Sequence, residues 1–400
     1  KDASTPVTDR VGERKLIPVS ISAGFGFVPQ AEKFGRDISG NQYQLYTVVK
    51  DGDFVYNKGN SLKFPEGCVY QLQGWGEVAA PNVFICFRLK DDYSNVFFQK
   101  CFEQNLHGKQ LKKHITSGAR SNGLLNISKE SFFGVEIPTP MYAEQQKIAD
   151  CLSSLDELIA AQARKVEVLK THKKGLMQQI FPREGENKPR FRFPEFQNDS
   201  DWEEKRVDEL GDVLAGKALA ATAPGPLRPY LRTKNVLDGE INLSDVLTMP
   251  MTDAEFSRFE VLNGDVLLNE GQTLELVGRA SIYRGEFEGR CAMQNQLIRF
   301  RAFPSTCREF AAQTFRKCQK DGTFARIATQ TTSVAHLGSS RFSALTLLWP
   351  PSLHEQQHIA SCLSGVDVLI TTEIQELDTL KTHKKGLMQQ LFPAMDEMRA

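Results

Sequence analysis

Residues 144–182 read EQQKIADCLSSLDELIAAQARKVEVLKTHKKGLMQQIFP, and residues 355–393 read EQQHIASCLSGVDVLITTEIQELDTLKTHKKGLMQQLFP. The two stretches align without a gap at an offset of 211, and eleven consecutive positions, 169–179 and 380–390, are identical. Agreement of that length inside one chain marks a duplication, and a repeat has to be settled before a fold is assigned. The duplication reaches further. Gly52-Asp53 followed by Asn57-Lys58-Gly59 has a counterpart in Gly264-Asp265 followed by Asn269-Glu270-Gly271, at an offset of 212. Each half is therefore a variable region followed by a nearly constant segment.

The constant segment has a helical period. Ile148, Leu152, Leu155, Ile159, Val166, Leu169, Leu176 and Ile180 fall on alternating steps of four and three, with polar gaps at Gln162 and Lys173. The second copy repeats the register with Ile359, Leu363, Val366, Ile370, Leu377, Leu380, Leu387 and Leu391, and its gaps fall at Glu373 and Lys384. Such alternation lays one apolar seam along a helix that packs on another helix, and matched polar seam positions point to control of register. At a rise of 1.5 Å per residue each rod is roughly 55–60 Å long. Rods of this length need a partner to cover the seam. Pro140 and Pro351 precede the two segments, and Pro182 and Pro393 end them.

Composition bounds the rest. At roughly 150 residues per domain, 400 residues suggest two to three domains. The chain is 40% apolar and 24% charged, as an ordinary globular protein is, which excludes a disordered or fibrous chain. No long apolar run announces a membrane span, so no membrane partner is expected, and the first residues have no signal-peptide pattern. Basic and acidic residues balance at 49 each, so nucleic-acid binding would come from local patches or from partner subunits. The eight cysteines form no C-x-x-C, which points to buried thiols in a reduced cytoplasmic protein and not to a disulfide or zinc scaffold.

The variable regions read as mixed α/β. Residues 44–49, 82–89 and 296–301 read as strands, and 309–319 as a short helix. Residues 183–202 carry the proline, charge and turn chemistry of a linker into the second module.

Three catalytic motifs are set aside. His354-Glu355-Gln356-Gln357-His358 matches H-E-x-x-H, but its repeat is Ala143-Glu144-Gln145-Gln146-Lys147, so neither histidine belongs to the shared frame. Gly211 to Gly216-Lys217-Ala218 ends in alanine where a phosphate-binding loop needs Ser or Thr. The Asn/Asp-Pro-Pro-Tyr/Phe loop of adenine methyltransferases is missing, since Pro350-Pro351 lies in Trp-Pro-Pro-Ser. No catalytic constellation stands out.

Two basic stretches are the candidate nucleic-acid contacts. The first holds Lys109, Lys112, Lys113 and Arg120 with Ser117 and Asn122; Asn57 and Lys58 come from the repeated Gly-Asp segment. The second holds Arg316, Lys317, Lys320, Arg326 and Arg341 with Thr329, Gln330, Thr331 and Ser333; Asn269 is the counterpart of Asn57. Lys and Arg neutralise phosphates, while Arg, Asn, Gln, Ser and Thr also read base edges. A solvated charged loop explains either stretch alone; its recurrence at matching places favours binding.

The residues Pro138-x-Pro140…Glu144-Gln-Gln-x-Ile148, leading to Leu169-Lys-x-x-Lys-Lys-Gly-Leu-Met-Gln-Gln-x-Phe-Pro182, with the same run from Pro351 to Pro393, resemble the specificity subunits of type I restriction–modification enzymes. Arg192-Phe-Pro-Glu-Phe…Trp202…Leu210-Gly-Asp-Val213 resembles that family's lead-in to a recognition domain. The resemblance covers essentially the whole chain. It implies an α/β (α+β) fold: two globular target recognition domains separated by two long helices that form an antiparallel coiled coil, as a pseudo-twofold internal repeat. The expected domains are 1–139, target recognition domain 1; 140–182, the central helix; 183–202, a linker; 203–350, target recognition domain 2; and 351–400, the distal helix. The first module lacks the lead-in that the second has, so a segment ahead of Lys1 is expected.

The resemblance further implies a non-catalytic subunit that reads a bipartite target in double-stranded DNA, the helix pair setting the spacer. Two methyltransferase subunits, with S-adenosylmethionine as their cofactor, and restriction/translocase subunits, with ATP and Mg, are the implied partners. The chain itself is expected to hold no cofactor. The polar identity of 170–175 and 381–386 suggests that Lys170, His172, Lys173, Lys174, Lys381, His383, Lys384 and Lys385 face the methyltransferase. The alternative is a structural or adaptor coiled-coil protein with two protein-binding modules.

Overall fold

The computed structural model describes residues 2–22, 24–59, 64–115, 125–218, 220, 222–331 and 333–392. The chain forms two compact units. The first comprises 1–163 with 376–400, and the second 164–375. Both 39-residue helices, Tyr142–Ile180 and Leu353–Leu391, contribute to both units. Every seam position named above is buried or half-buried.

In the first unit, the strands Ser4–Pro6, Ile85–Leu89, Phe54–Asn57 and Cys68–Gln71 form an antiparallel sheet in that spatial order. A second sheet joins Gly26–Pro29, Ile17–Ser22, Glu77–Ala80 and Thr47–Lys50. The helix Asn95–Glu103 is capped by the Ser94 hydroxyl, which accepts from the Phe97 N–H. Phe54, Phe87, Phe97, Phe102 and Phe132 pack one core beside Ala149 and Leu152 of the first long helix and Met388 and Phe392 at the end of the second.

The second unit repeats the first sheet. The strands Gly211–Ala215, Leu297–Ala302, Val266–Asn269 and Ala280–Ile282 are antiparallel in the same spatial order. The helix Arg308–Lys320 packs on it through Phe310 and Phe315, with Phe300, Phe324 and Phe342 filling the core and Ile180, Ile359 and Leu363 closing it. This unit adds the strand pair Glu203–Arg206 with Thr346–Trp349. It also adds a small sheet of Gly271–Gln272, Val334–His336 and Thr329–Thr331.

Of the expected elements, 82–89 contains the strand Ile85–Leu89, 296–301 matches Leu297–Ala302, and 309–319 matches Arg308–Lys320. Residues 44–49 split into the end of a 3-10 turn, Gly40–Leu45, and the strand Thr47–Lys50. The G-x-x-x-x-G-K stretch set aside as a phosphate loop is the strand Gly211–Ala215, followed by Lys217 paired to Glu255. Among the described residues no helix is long and apolar enough to cross a membrane.

Candidate nucleic-acid interface

The repeated Gly-Asp segment frames the entry to an interior strand of each sheet. Gly52 and Gly264 adopt φ of 96° and 99°, a conformation open to glycine. The next residue, Asp53 or Asp265, is fully buried; its carboxylate accepts the N–H of Lys50 or Leu262 and binds Arg88 or Arg301 at 2.6 and 2.7 Å. These interactions hold the turn entering the central strand. Asn57 and Asn269, at that strand's far end, serve the same scaffold. Asn57 is half-buried; it accepts the Gly59 N–H and donates to the Ile21 carbonyl. Asn269 is fully buried and donates to the Val236 carbonyl. Lys58 donates to the Ile127 carbonyl. Asn269 is thus removed from any DNA-facing set, and Asn57 and Lys58 are committed to internal contacts.

In the first unit Lys109 on the helix Leu106–Leu111 and Lys112 and Lys113 on the following 3-10 turn are exposed, and none is ion-paired among the described residues. The turn exposes them because the opposite face buries His107 and Leu111 in the aromatic core, where burial pushes the His107 imidazole down to about 4. Ser117, Arg120 and Asn122 lie outside the described residues.

The second unit sorts its basic stretch into two places. Thr329, Gln330 and Ser333 are exposed on the hairpin built by Thr329–Thr331 and Val334–His336; the Thr331 side chain lies outside the description. Arg341 braces this hairpin by donating to the Thr329 hydroxyl (3.0 Å) and the carbonyls of His336 and Leu337. His336 meets Glu270 at 3.0 Å. Lys317, Lys320 and Arg326 stand elsewhere. They line a groove of about 2010 Å³ together with Lys170, Lys173 and Lys174 of the first long helix. Lys317 pairs with Asp321 and Lys320 with Asp238, while Arg326 donates to Thr323 and the Asp321 carbonyl. The residues expected to touch DNA and those expected to touch a subunit therefore share this groove.

Two members of the expected docking set turn inward. Lys173 is buried and donates to both oxygens of Asp367 at 2.7 Å and to Gln313 at 3.1 Å. Lys384 is half-buried and pairs with Asp156. Their identity in the two copies follows from a shared internal partner and does not require an external one. Lys170, His172, Lys174, Lys381, His383 and Lys385 remain exposed.

The carboxylates they meet were not anticipated from the sequence. Asp156 also takes Lys100 at 2.7 Å, and Asp367 also takes Arg316 at 2.8 Å. Burial opposes ionisation of both aspartates, but their cations hold both below the usual carboxylate range. Arg316 bridges to Asp238, which is held down at about 2 against its burial by Arg316 and Lys320. Burial, with Arg316 nearby, lowers Lys173 to about 8. The only available sequence signal was an aspartate beside the seam at matching positions in both copies.

The H-E-x-x-H glutamate has another use. Glu355 is fully buried and takes Arg192 at 2.7 and 2.8 Å and the Trp202 indole N–H at 3.4 Å. His354 and His358 pack on Phe196 and Phe193. Among the described residues no group of three or more His, Cys, Asp and Glu is placed to hold a metal ion.

The family model described as type I restriction modification DNA specificity domain matches residues 50–171 and 199–382. The chain belongs to this family. Among curated relatives, the MjaX specificity subunit of a type I restriction enzyme from Methanocaldococcus jannaschii is 23% identical over 194 residues, 48% of this chain and 45% of that protein. The matched stretch thus spans less than half the length of that relative. A chain from a type I R-M system, solved in a study of its complex assembly and conformational transition, superposes with a TM-score of 0.58 at 14% identity, covering 98% of this chain and 95% of its own. The type I S subunit from M. genitalium gives a TM-score of 0.54 at 15% identity, with 99% and 91% covered. These superpositions support the mixed α/β fold, and the family model marks two regions of the chain as specificity-domain sequence.

Proposed function

We propose that this chain is the DNA-specificity subunit of a type I restriction–modification enzyme, each unit reading one half of a bipartite target in double-stranded DNA. The observation that carries the reading is the contrast between frame and surface. The Asp–Arg turn braces recur at offsets of 212 and 213 and the helix-borne ion pairs at 211, while the exposed polar surface among the described residues differs: lysines at 109–113 in one unit, a hydroxyl and amide hairpin in the other. A two-stranded ribbon fits the major groove, where its side chains can reach base edges. Two different surfaces on one frame suit two different half-sites.

The two long helices are read as an antiparallel coiled coil with pseudo-twofold symmetry. Lys173–Asp367 and Lys384–Asp156 exchange under the 211 offset, as do Lys165–Glu373 and Glu376–Gln162. Within each unit the paired positions advance along one helix as they recede along the other. Half-sites one turn apart are separated by about 34–36 Å, within the reach of helices of this length, which would set the unread spacer. Lys170, His172 and Lys174, with their counterparts Lys381, His383 and Lys385, would meet two methyltransferase subunits. Those subunits would carry S-adenosylmethionine and flip out the adenine, and restriction subunits using ATP and Mg would join them. This chain would be non-catalytic.

Mapping N6-methyladenine across the genome of cells carrying this chain with its methyltransferase subunit, against cells lacking the chain, tests the reading. A split motif present only with the chain is expected; none in cells where the subunits assemble would overturn it. Phosphate contact by the exposed lysines at 109, 112 and 113 has its own signature. Each lost contact flattens the log K against log salt slope by about 0.9. Replacing Lys109, Lys112 and Lys113 by alanine should therefore lower the slope of the DNA complex by about 2.7, while an adaptor would show no DNA binding to change.

A further inference from the structure

Inside the repeated Gly-Asp motif the aspartate, the asparagine and both glycines recur, but the residue between Asn and Gly changes sign: Lys58 in the first unit, Glu270 in the second. The backbone of that residue does the same in both. The Lys58 carbonyl accepts the Leu125 N–H and the Glu270 carbonyl accepts the Leu337 N–H, each at 2.8 Å. The side chains diverge. Lys58 donates to the Ile127 carbonyl, whereas the Glu270 carboxylate meets Nδ1 of His336 at 3.0 Å. A position that varies within a constant frame is where the two units can differ in what they read.

His336 belongs to the hairpin of Thr329–Thr331 and Val334–His336. It lies opposite Thr329 on one side and Gly271 on the other, and residues directly opposite in an antiparallel sheet share a face. Val334, two residues earlier, is on that face too and is 37% exposed, while Ala335 between them is buried. Gly271 makes room for the imidazole: a Cβ there would stand 3.3 Å from Nδ1 and Cε1 of His336 and 2.9 Å from the Gln296 amide oxygen. The Glu270 side chain is 17% exposed and that of His336 36%. A carboxylate only accepts, so the imidazole carries its hydrogen on Nδ1. Nε2 has no partner among the described residues, and in the neutral ring it is an acceptor. Arg341 donates to the His336 carbonyl at 2.8 Å. Ring and backbone of His336 are thus both tied down, and one acceptor atom is left over.

We propose that His336 is a specificity-determining residue of the second unit: its Nε2 accepts a hydrogen bond from one exocyclic amino group, adenine N6 or cytosine N4, in the major groove of that unit's half-site, and Glu270 is the positioning residue that sets the tautomer. Those two amino groups are the donors that the bases present in the major groove. This role rests on the DNA-specificity reading above and names the atom that reads. Neither side chain contacts a phosphate in this role, so base preference and salt dependence separate.

The test uses the chain assembled with its methyltransferase subunits. N6-methyladenine mapping with the parent chain gives the split motif; with His336→Ala one position of one half-site becomes degenerate, while the other half-site and the spacer stay as they were. Binding to duplexes that differ at that position measures the effect. Discrimination falls from at least about tenfold in the parent to under about threefold in His336→Ala, with the log K against log salt slope unchanged. Replacing the read base by its analogue without the amino group, purine for adenine or pyrimidin-2-one for cytosine, weakens the parent complex by about tenfold and leaves His336→Ala unaffected. Glu270→Gln, whose amide can donate to Nδ1 and so admit the other tautomer, loses discrimination at the same position although the imidazole is still there. Full discrimination in either variant overturns the assignment. So does relaxation spread over several positions, or faster amide hydrogen exchange of 334–337 in His336→Ala, since a pair that only holds the hairpin would act in that way. If the parent chain yields no motif, the specificity reading itself falls; if it yields one that His336→Ala leaves intact, only the role of His336 does.

Discussion

Glu355→Ala should destabilise the second unit by about 3–5 kcal/mol, because it leaves the Arg192 guanidinium buried without its carboxylate. The side chains of the pair are only 4% and 1% exposed, so water cannot replace the lost partner. Arg192 would keep only the carbonyls of Asp199 and Ser200, and the Trp202 indole would lose its acceptor. For a unit of this size the expected fall in melting temperature is about 10 °C. The internal control is the repeat-related residue. Glu144→Ala removes the same side chain from the same sequence frame, but an exposed one, and should stay within about 0.5 kcal/mol. Denaturant melts of both variants measure the contrast. Equal effects would show that the frame, and not burial under Arg192, determines the role of the glutamate.

Asp367→Ala should cost a similar amount, about 3–5 kcal/mol, by stranding Lys173. Lys173 would retain Gln313, and Arg316 would retain Asp238. Replacing the pair together, Lys173→Met with Asp367→Leu, should recover most of the loss, since apolar residues of similar volume often match a buried ion pair. The same site makes stability sensitive to acid. Asp367 and Asp238 have folded-state pKa values below the unfolded range, Asp238 at about 2. Their contribution is fully present above about pH 4 and is lost as pH falls from there towards about 2. Urea midpoints across that window should fall more steeply in the parent chain than in Asp367→Ala. Parallel curves would exclude Asp367 as a source of acid sensitivity.

The seam and its polar gaps were legible because helical periodicity is local: steps of three and four keep residues on one face whatever packs against it. Gln162, Lys173, Glu373 and Lys384 stood out on that ground alone, and each meets a polar partner in the structure. The candidate interface was only partly legible. Lysine and arginine could be located along the chain, but whether each faces solvent or a carboxylate could not. Lys109, Lys112 and Lys113 are exposed without an ion-pair partner among the described residues, Lys317 and Lys320 are paired, and Lys173 is buried.

By itself the sequence determined the duplication, the two long helices, the mixed α/β class and the family. The first two rest on a repeat and a period, the class on short strand- and helix-like runs and the family on the resemblance of local motifs, and none of these needs knowledge of distant contacts. Tertiary structure alone decided which repeated residues act inside the protein. Lys173 and Asp367 lie 194 residues apart, and Arg192 and Glu355 lie 163 apart. An ion pair forms only where folding brings such groups to about 3 Å, and no local pattern encodes that approach. For the same reason one sequence, Glu-Gln-Gln, yields a buried anchor at Glu355 and an exposed carboxylate at Glu144.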